Sequence, residues 1–481
     1  MNSVIKNFIW RFMERMLANI VAFVVSIILA RILSPEEYGT IAIVSVIIVF
    51  FQVFVDCGFG NSLIQKKDAD DLDFSTIFYF NIVACVFLYI ILFFSAPLFS
   101  AFYKDTSLTN ILRILGLIIV ISGIKNIQQA YVSKKMMFRK FFFSTLSGTI
   151  AAAIVGIGMA LNGFGVWALV AQQLINPIID TIVLWFTVDW RPKKLFSFTR
   201  LKYLFNYGSK LLGTSLLSTL YNNISQLAIG KVYSSTDLAF YNKGKSWPNL
   251  FVQNINTSMD SVLFPSFSNI QDQKYLLKEK CKRANIVSAL IIFPGLIGLA
   301  LIAKPLVRVV LTEKWMQSVI FMQLFCLSFM TYPIQTANIN VIKAVGESGT
   351  YLKCELIKRT VQIVFLIVAL FISPLAVCVS FLLTNIIACF IFAYPNGRII
   401  KYSFINQLKD LINIILAVMI MTLIVYMLGK IPVYDIIRIL MMIILGCVSY
   451  IISLELLKVD AYIDIKNRLM NWCKDKFNKD K

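Results

Sequence analysis

Long apolar runs separated by short polar links follow one another along the chain as far as residue 457. A helix that crosses a bilayer takes about 20 apolar residues. The expected spans cover 8–33, 39–62, 76–97, 108–131, 141–162, 164–187, 204–229, 246–268, 286–311, 316–342, 356–373, 375–396, 408–429 and 436–457. The pair at 204–229 and 246–268 is the least hydrophobic. The pattern predicts an all-α polytopic membrane protein with about 14 transmembrane helices.

Basic residues gather in alternate links between these runs. One set of links contains Lys134, Lys135, Arg139, Lys140, Arg191, Lys193, Lys194, Arg200, Lys202, Lys274, Lys278, Lys280, Lys282, Arg283, Lys353, Lys358, Arg359, Arg398, Lys401 and Lys409. The opposite set is nearly bare, since the links near Asn162 and Ser373 carry no charge. Because cytoplasmic loops collect Lys and Arg, this alternation predicts that both termini are cytoplasmic.

The composition supports a membrane protein and narrows its chemistry. The chain of 481 residues is 58% hydrophobic and only 15% charged, whereas a soluble domain is about a quarter charged. The formal net charge is +21, but the alternation of the links accounts for most of it, so it gives no evidence for a nucleic-acid partner. The chain has no His, and its nine Cys are scattered without a CxxC pair. We therefore expect no metal, no cofactor and no catalytic residues.

Two similar segments lie 200 residues apart: residues 30–39 read ARILSPEEYG and residues 230–239 read GKVYSSTDLA. A looser match joins 133–140 to 346–353. These matches favour a duplication that produces two six-helix lobes of the same orientation. The expected organisation is an N-lobe at 1–187, a cytoplasmic link at 188–203, a C-lobe at 204–396, accessory spans 13 and 14 at 397–457, and a basic cytoplasmic tail at 458–481.

Cations and amides inside the spans are candidates for a substrate cavity. An ionisable group in a bilayer costs about 2.5–3.5 kcal/mol on insertion scales, so it faces a cavity or a partner. The candidates are Arg11, Arg15, Lys125, Gln128, Gln172, Asn176, Lys210, Asn222, Gln226, Asn256, Gln335 and Lys343. Amides suit sugar hydroxyls because they donate and accept hydrogen bonds, and Lys or Arg suits a pyrophosphate. The alternatives are snorkelling for Arg11, Arg15 and Lys210 and polar contacts between helices for the amides.

Acidic residues within the spans are candidates for an ion-coupling site. They are Glu14, Asp56, Asp180 and Asp260. The alternative for such a carboxylate is a salt bridge to a neighbouring Lys or Arg. A separate cluster, Asp68, Asp70, Asp71 and Asp73, lies in a predicted cytoplasmic link. There a solvated loop is favoured over a metal site.

Several segments together resemble a known family. They are 164–173 (FGVWALVAQQ) followed by Trp190-Arg191-Pro192, 238–244 (LAFYNKG) followed by 262–268 (VLFPSFS), 30–39, and 56–60 (DCGFG). The chain is similar through these segments to Wzx-type polysaccharide transporters of the multidrug/oligosaccharidyl-lipid/polysaccharide superfamily, especially the colanic-acid and teichuronic-acid exporters. The resemblance implies a two-lobed, V-shaped helical fold whose later spans form a lipid-facing groove.

The resemblance also implies a function. Such flippases move an undecaprenyl-pyrophosphate-linked oligosaccharide from the cytoplasmic to the outer leaflet of the bacterial cytoplasmic membrane, for surface polysaccharide synthesis, where polymerases and assembly proteins are further partners. One alternative is a cation-coupled multidrug antiporter of the same superfamily. Another is a membrane-embedded polysaccharide polymerase or ligase, which would need catalytic carboxylates or His on a sizeable outer loop. The embedded charges, Lys125, Lys210 and Lys343 against Asp56, Asp180 and Asp260, do not separate the first two readings.

Overall fold

Within the residues that the structure describes, helices lie over each segment in which the sequence predicts a span. The computed structural model describes residues 3–55, 59–66 and 68–479. The helices are α1 (Ser3–Ile32), α2 (Pro35–Val55), α3 (Phe59–Gln65), α4 (Asp71–Tyr103), α5 (Ser107–Leu115), α6 (Leu117–Lys134), α7 (Phe138–Leu161), α8 (Val166–Thr187), α9 (Phe198–Val232), α10 (Ser235–Ser268), α11 (Lys274–Leu311), α12 (Ser318–Phe329), α13 (Tyr332–Ala344), α14 (Ser348–Leu370), α15 (Pro374–Ile399), α16 (Phe404–Leu428), α17 (Asp435–Leu456) and α18 (Asp460–Lys479). A 3₁₀ turn covers Glu313–Trp315, and the described residues contain no strand. The all-α prediction is confirmed.

Ten helical segments of the described chain are long and apolar enough to cross a membrane. Two of them are pairs of consecutive helices, α5 with α6 and α12 with α13. The predicted spans that fall outside the ten are those over α1, α9, α10 and α14. The chain is therefore a multi-span membrane protein, and the count of about 14 spans stays a prediction.

The break between α5 and α6 occurs at Gly116. A Cβ at this position would lie 2.8 Å from both the carbonyl oxygen of Leu112 and the side chain of Leu92 on α4. A glycine lets α4 approach this closely, because it has no side chain to place in the contact. A single apolar run can therefore predict one span while the chain builds it from two helices.

The chain forms two compact units, Met1–Ala239 and Phe240–Lys481. In the first, α9 packs against α2 and α4, and α7 packs against α1 and α8. In the second, α11 packs against α12, α16 and α17, and α14 packs against α15. The lobes predicted from the sequence, 1–187 and 204–396, remain predictions.

The two repeated segments form the same local structure. At the start of α2, Ser34 N donates to a Glu37 carboxylate oxygen at 2.7 Å, and Glu37 N donates to Ser34 Oγ at 3.3 Å. At the start of α10, Asp237 N donates to Ser234 Oγ at 3.0 Å, and Ser234 Oγ donates to Asp237 at 2.6 Å. Each pair satisfies a backbone N–H that the first helical turn leaves without a partner.

The link that precedes α9 is held on the start of α4 by an ion cluster around a buried carboxylate. The Asp73 side chain is fully buried. It forms an ion pair with the Lys66 ammonium and lies 3.1 Å from Arg200 Nη1. The link is tied further by backbone N–H groups, from Lys193 to Ser75 Oγ at 3.0 Å and from Ser197 to Thr76 Oγ1 at 3.1 Å. The expectation of a solvated loop is therefore wrong for Asp73, because its partner Arg200 lies 127 residues away in sequence.

The neighbouring Asp70 completes this arrangement as the N-cap of α4. Asp73 N donates to Asp70 Oδ1 at 2.9 Å, and Asp70 N donates back to Asp73 Oδ2 at 3.2 Å. The backbone hydrogen bond from Asp73, and then the Asp73 side chain and the Arg200 and Lys66 charges, hold the pKa of Asp70 below its ordinary value. A lowered carboxyl pKa stabilises the folded state at neutral pH, and this contribution is lost as the pH falls through that pKa.

Replacing Asp73 with alanine is expected to destabilise the protein by about 2–3 kcal/mol, because it removes a buried carboxylate that bonds to Lys66 and Arg200, and a hydrogen bond to a charged group is worth about 1.5–3 kcal/mol. Thermal unfolding of the purified protein in detergent measures the effect. The matched control is Asp71→Ala, since Asp71 pairs with Lys193 at 2.6 Å on an exposed surface. Such surface pairs are worth less than about 1 kcal/mol. Equal losses in the two variants would contradict the ion cluster around Asp73.

Candidate functional site

A polar cavity of about 410 Å³ lies inside the first unit. It is lined by Ala22, Val25, Ser45, Ile48, Val49, Gln52, Ile118, Ser122, Lys125, Thr149, Ala152, Gln172, Gln173, Asn176 and Pro177. These residues come from α1, α2, α6, α7 and α8. The cavity brings together three of the predicted substrate-binding residues, Lys125, Gln172 and Asn176. None of the other predicted residues whose side chains the structure describes lines it.

The charge of this cavity rests on an ion pair between α6 and α8. Lys125 Nζ lies 3.1 Å from Asp180 Oδ2. The Lys125 side chain is 19% exposed and that of Asp180 is 8% exposed. Asp180 Oδ1 is buried without a hydrogen-bond partner among the described residues. Lys125 therefore lines the cavity, and Asp180, which does not line it, provides the counter-charge of the lysine.

Two glycines of α7 allow the polar side of α8 to come close. A Cβ at Gly148 would lie 2.7 Å from the carbonyl oxygen of Asn176, and one at Gly156 would lie 3.0 Å from Cβ of Gln172. Small residues at such positions let membrane helices pack at short range. This close packing against α7 holds the amide groups of Gln172 and Asn176 beside the cavity.

Several polar residues of the cavity were not among the sequence candidates. They are Ser45, Gln52, Ser122 and Thr149. Ser45 Oγ donates to Gln173 Oε1 at 3.3 Å, which joins α2 to α8. A signal was present for α2, because positions seven apart share a helix face, and Ser45 and Gln52 have this spacing.

Other candidates of the first unit have local partners away from the cavity. Gln128 is fully buried and donates to the carbonyl oxygen of Trp190 at 3.1 Å. Glu14 is buried and accepts from Thr145 Oγ1 at 3.1 Å, which connects α1 to α7. On α9, Gln226 donates to Asn223 Oδ1 at 3.3 Å, and Asn222 is exposed. Asp56 and the side chains of Arg11, Arg15 and Lys210 lie outside the described residues.

The second unit holds its own polar residues in a network among α13, α14 and α15. Gln335 is buried, donates to Asn385 Oδ1 at 3.3 Å, and accepts from Lys358 Nζ at 3.2 Å. The sequence pattern assigned Lys358 to a basic link, yet it lies within α14. Lys358 was not among the candidates because the charged residues near it in sequence, Lys353, Glu355 and Arg359, suggest a loop.

The remaining candidates of the second unit lie nearby. Asp260 is exposed and accepts from Asn340 Nδ2 at 2.6 Å. Lys343 is exposed, with its ammonium 4.7 Å from the ring centre of Tyr351. Asn256 Oδ1 is buried without a hydrogen-bond partner among the described residues. The described part of the chain contains no cluster of Cys, Asp and Glu that could hold a metal ion.

A family profile described as polysaccharide biosynthesis protein matches residues 28–320, which is more than half of the chain. The chain belongs to this family. The resemblance seen in the sequence motifs is confirmed.

Two curated relatives and one solved structure give the scale of the similarity. The chain is 26% identical over 347 residues to the teichuronic acid biosynthesis protein TuaB of Bacillus subtilis (strain 168), covering 70% of this chain and 71% of that protein. It is 24% identical over 305 residues to the lipopolysaccharide biosynthesis protein WzxC of Escherichia coli (strain K12), covering 62% and 61%. The lipid II flippase MurJ in an inward closed conformation matches with a TM-score of 0.76 at 15% identity, covering 94% of this chain and 99% of that chain. The family member described here therefore shares the fold of MurJ.

Proposed function

We propose that the protein moves an undecaprenyl-pyrophosphate-linked oligosaccharide from the cytoplasmic to the outer leaflet of the bacterial cytoplasmic membrane. The observation that carries the proposal is the membrane-embedded cavity in which Lys125 lies among the amides Gln52, Gln172, Gln173 and Asn176. Membership of a polysaccharide biosynthesis family supports a role in making a surface polymer. A lipid-linked sugar needs such a cavity because its head group is too polar to cross the hydrocarbon region.

The cavity residues divide the recognition of the head group between them. The Lys125 ammonium would bind a pyrophosphate oxygen as a charge-assisted hydrogen bond, and the amides would bind sugar hydroxyls. The pyrophosphate then competes with Asp180 for the same ammonium. Arrival of the lipid would therefore separate Asp180 from its counter-charge, which makes Asp180 the candidate for ion coupling that lies beside this cavity.

Movement between leaflets would follow from alternating access between the two predicted lobes of like orientation. Both termini would be cytoplasmic, as the positive links predict. Glu14, Asp56 and Asp260 stay as further candidates for ion coupling, and Arg11, Arg15, Lys210 and Lys343 stay as further candidates for the pyrophosphate. Polysaccharide polymerases and assembly proteins are the expected partners.

A cation-coupled drug antiporter is the second candidate function. It is favoured by the buried Asp180 Oδ1, which has no hydrogen-bond partner among the described residues and could accept a cation. Both functions use the same cavity, so substrate choice has to separate them.

Transport by purified protein tests the proposal. Proteoliposomes would carry a fluorescent prenyl-pyrophosphate-linked sugar, and a membrane-impermeant quencher would report its change of leaflet. We expect exchange between leaflets well above that of protein-free vesicles. Extrusion of cationic dyes without movement of the lipid-linked sugar would replace the flippase with the antiporter, and lengthening of the glycan would indicate a polymerase.

A further inference from the structure

A cationic pocket lies at one end of the second unit, where α11 and α16 end and α17 begins. Its volume is about 460 Å³. Its polar lining comprises Lys304, Arg308, Gln323, Tyr426, Lys430 and Arg438. None of these residues belongs to the cavity of the first unit, and the proposed transport of a head group through that cavity does not use them.

The positive charge of this pocket is only partly balanced. Arg308 Nε lies 2.6 Å from Glu313, and Arg308 Nη1 lies 3.3 Å from Asp435. Asp435 also pairs with Arg438 Nη1 at 2.8 Å. The two arginines thus share the two carboxylates, and an excess of positive charge remains on the two lysines that line the pocket.

The two lysines are available to a ligand. Lys304 and Lys430 are exposed and form no ion pair within the described residues. The Lys430 ammonium lies 4.8 Å from the ring centre of Tyr426, a contact that leaves its donor hydrogens free for an anion.

Arg438 is fixed in position but not fully satisfied. Its Nη2 donates to the carbonyl oxygens of Ile431 and Val433, both at 3.1 Å. Its Nε is buried and has no hydrogen-bond partner among the described residues. A guanidinium held in this way has a preset orientation, which lowers the entropic cost of binding an anion.

The predicted topology makes this concentration of cations unusual. The end of α11 would lie on the outer face, where the positive-inside rule disfavours Lys and Arg. Four basic side chains at such an end are therefore better explained by a ligand than by topology.

Apolar pockets adjoin the cationic one. Tyr426 also lines a pocket with Phe293, Ile297 and Val418. Met442 also lines a pocket with Phe251, which continues along α11, α16 and α17. The surroundings thus match a molecule with an anionic head group and a hydrocarbon chain.

We propose that this pocket binds the phosphate group of a lipid, whose hydrocarbon chain lies along the adjoining apolar pockets. The ligand chemistry could come from a bulk anionic phospholipid or from a prenyl phosphate. The inference goes beyond the flippase proposal and does not depend on it, because it concerns binding and not translocation.

Lipid binding to the full-length protein tests the inference. The protein is placed in nanodiscs of phosphatidylcholine, and binding of fluorescent phosphatidylglycerol and of a fluorescent prenyl phosphate is titrated separately. In Lys304→Gln/Lys430→Gln we expect at least one affinity to fall about tenfold or more, since each basic residue near a membrane surface adds substantially to anionic lipid binding. The matched control is Lys274→Gln/Lys409→Gln, which removes two charges from the opposite ends of α11 and α16.

The affinities of the variant for the two lipids show whether the pocket binds a lipid phosphate and which lipid supplies it. A loss for phosphatidylglycerol alone supports the site with a bulk lipid as ligand, a loss for the prenyl phosphate alone supports it with a prenyl lipid, and a loss for both supports a general phosphate site. Unchanged affinities, or an equal loss in the control, overturn it. A salt titration of the unmodified protein gives a second measurement that needs no variant: binding of both lipids that does not weaken with salt also overturns the inference.

Discussion

Neutralising both members of the ion pair in Lys125→Met/Asp180→Asn is expected to lower translocation of the lipid-linked sugar at least tenfold while the protein still folds. The pair lies at 3.1 Å between α6 and α8, and both side chains are largely buried. Removing both charges together leaves no unpaired buried charge, so stability is expected to change little. The ammonium that would hold the pyrophosphate is lost, so transport should fall.

The two single variants each remove one member of the pair. Lys125→Ala leaves Asp180 buried without its counter-charge, and we expect a loss of about 3–5 kcal/mol in stability together with the loss of export. Asp180→Asn keeps Lys125 in the cavity but removes the group that competes for it. Thermal unfolding in detergent measures the stability of each variant, and the proteoliposome assay measures its transport.

A matched control exists on the surface of the same unit. Lys140 lies 3.6 Å from Asp189, whose side chain is 99% exposed. Lys140→Gln/Asp189→Asn removes an ion pair of the same composition from solvent, where such pairs are worth less than about 1 kcal/mol. Both transport and stability should stay near those of the unmodified protein. Normal transport in the Lys125→Met/Asp180→Asn variant would return this pair to a structural role.

Adding one methyl group at Gly39 is expected to cost about 3 kcal/mol or more of stability. A Cβ at Gly39 would lie 1.8 Å from the carbonyl oxygen of Ser235 and 2.8 Å from its Cα. The obstacle is backbone, so no side-chain rotation can relieve it and the two repeated turns must separate. Overpacking in well-packed regions costs about 1–3 kcal/mol even where side chains can adjust.

The test for Gly39→Ala compares it with another helical glycine. Gly158 lies within α7, and a Cβ there would meet nothing within 4 Å. Gly158→Ala is expected to keep or slightly raise stability, because alanine favours helix over glycine by about 1 kcal/mol. The yield of folded protein and its unfolding temperature are the measurements. Similar behaviour of the two variants would show that the turns are not packed as closely as the structure has them.

The helices could be predicted from the sequence because their signal is local. A run of about 20 apolar residues has few alternatives to a helix that crosses or lies within a membrane. The predicted span at 141–162 corresponds to α7, and the one at 408–429 corresponds to α16 within a few residues. Helix α18 was not predicted within the basic tail, since its low hydrophobicity resembles that of a solvated segment.

Part of the candidate site could be predicted from the sequence, because a polar residue within an apolar run is also a local signal. Lys125, Gln172 and Asn176 stood out because polar residues in a span are costly and need a cavity or a partner. Ser45 and Thr149 did not stand out, because small hydroxyl residues are inexpensive in any helix. Gln128 looked equivalent to its neighbours on α6, but it is bound to the backbone at Trp190.

The all-α membrane class, the positions of most helices and the family follow from the sequence alone, since each depends on residues close together in the chain. Which polar groups meet depends on how the helices pack. Lys125 and Asp180 are 55 residues apart in sequence, and Asp73 and Arg200 are 127 apart. The sequence shows that a charge in a span needs a partner, but the choice of partner depends on how the helices pack. Glycines such as Gly39 and Gly148 permit that packing, and their close contacts become visible only once the helices are placed together.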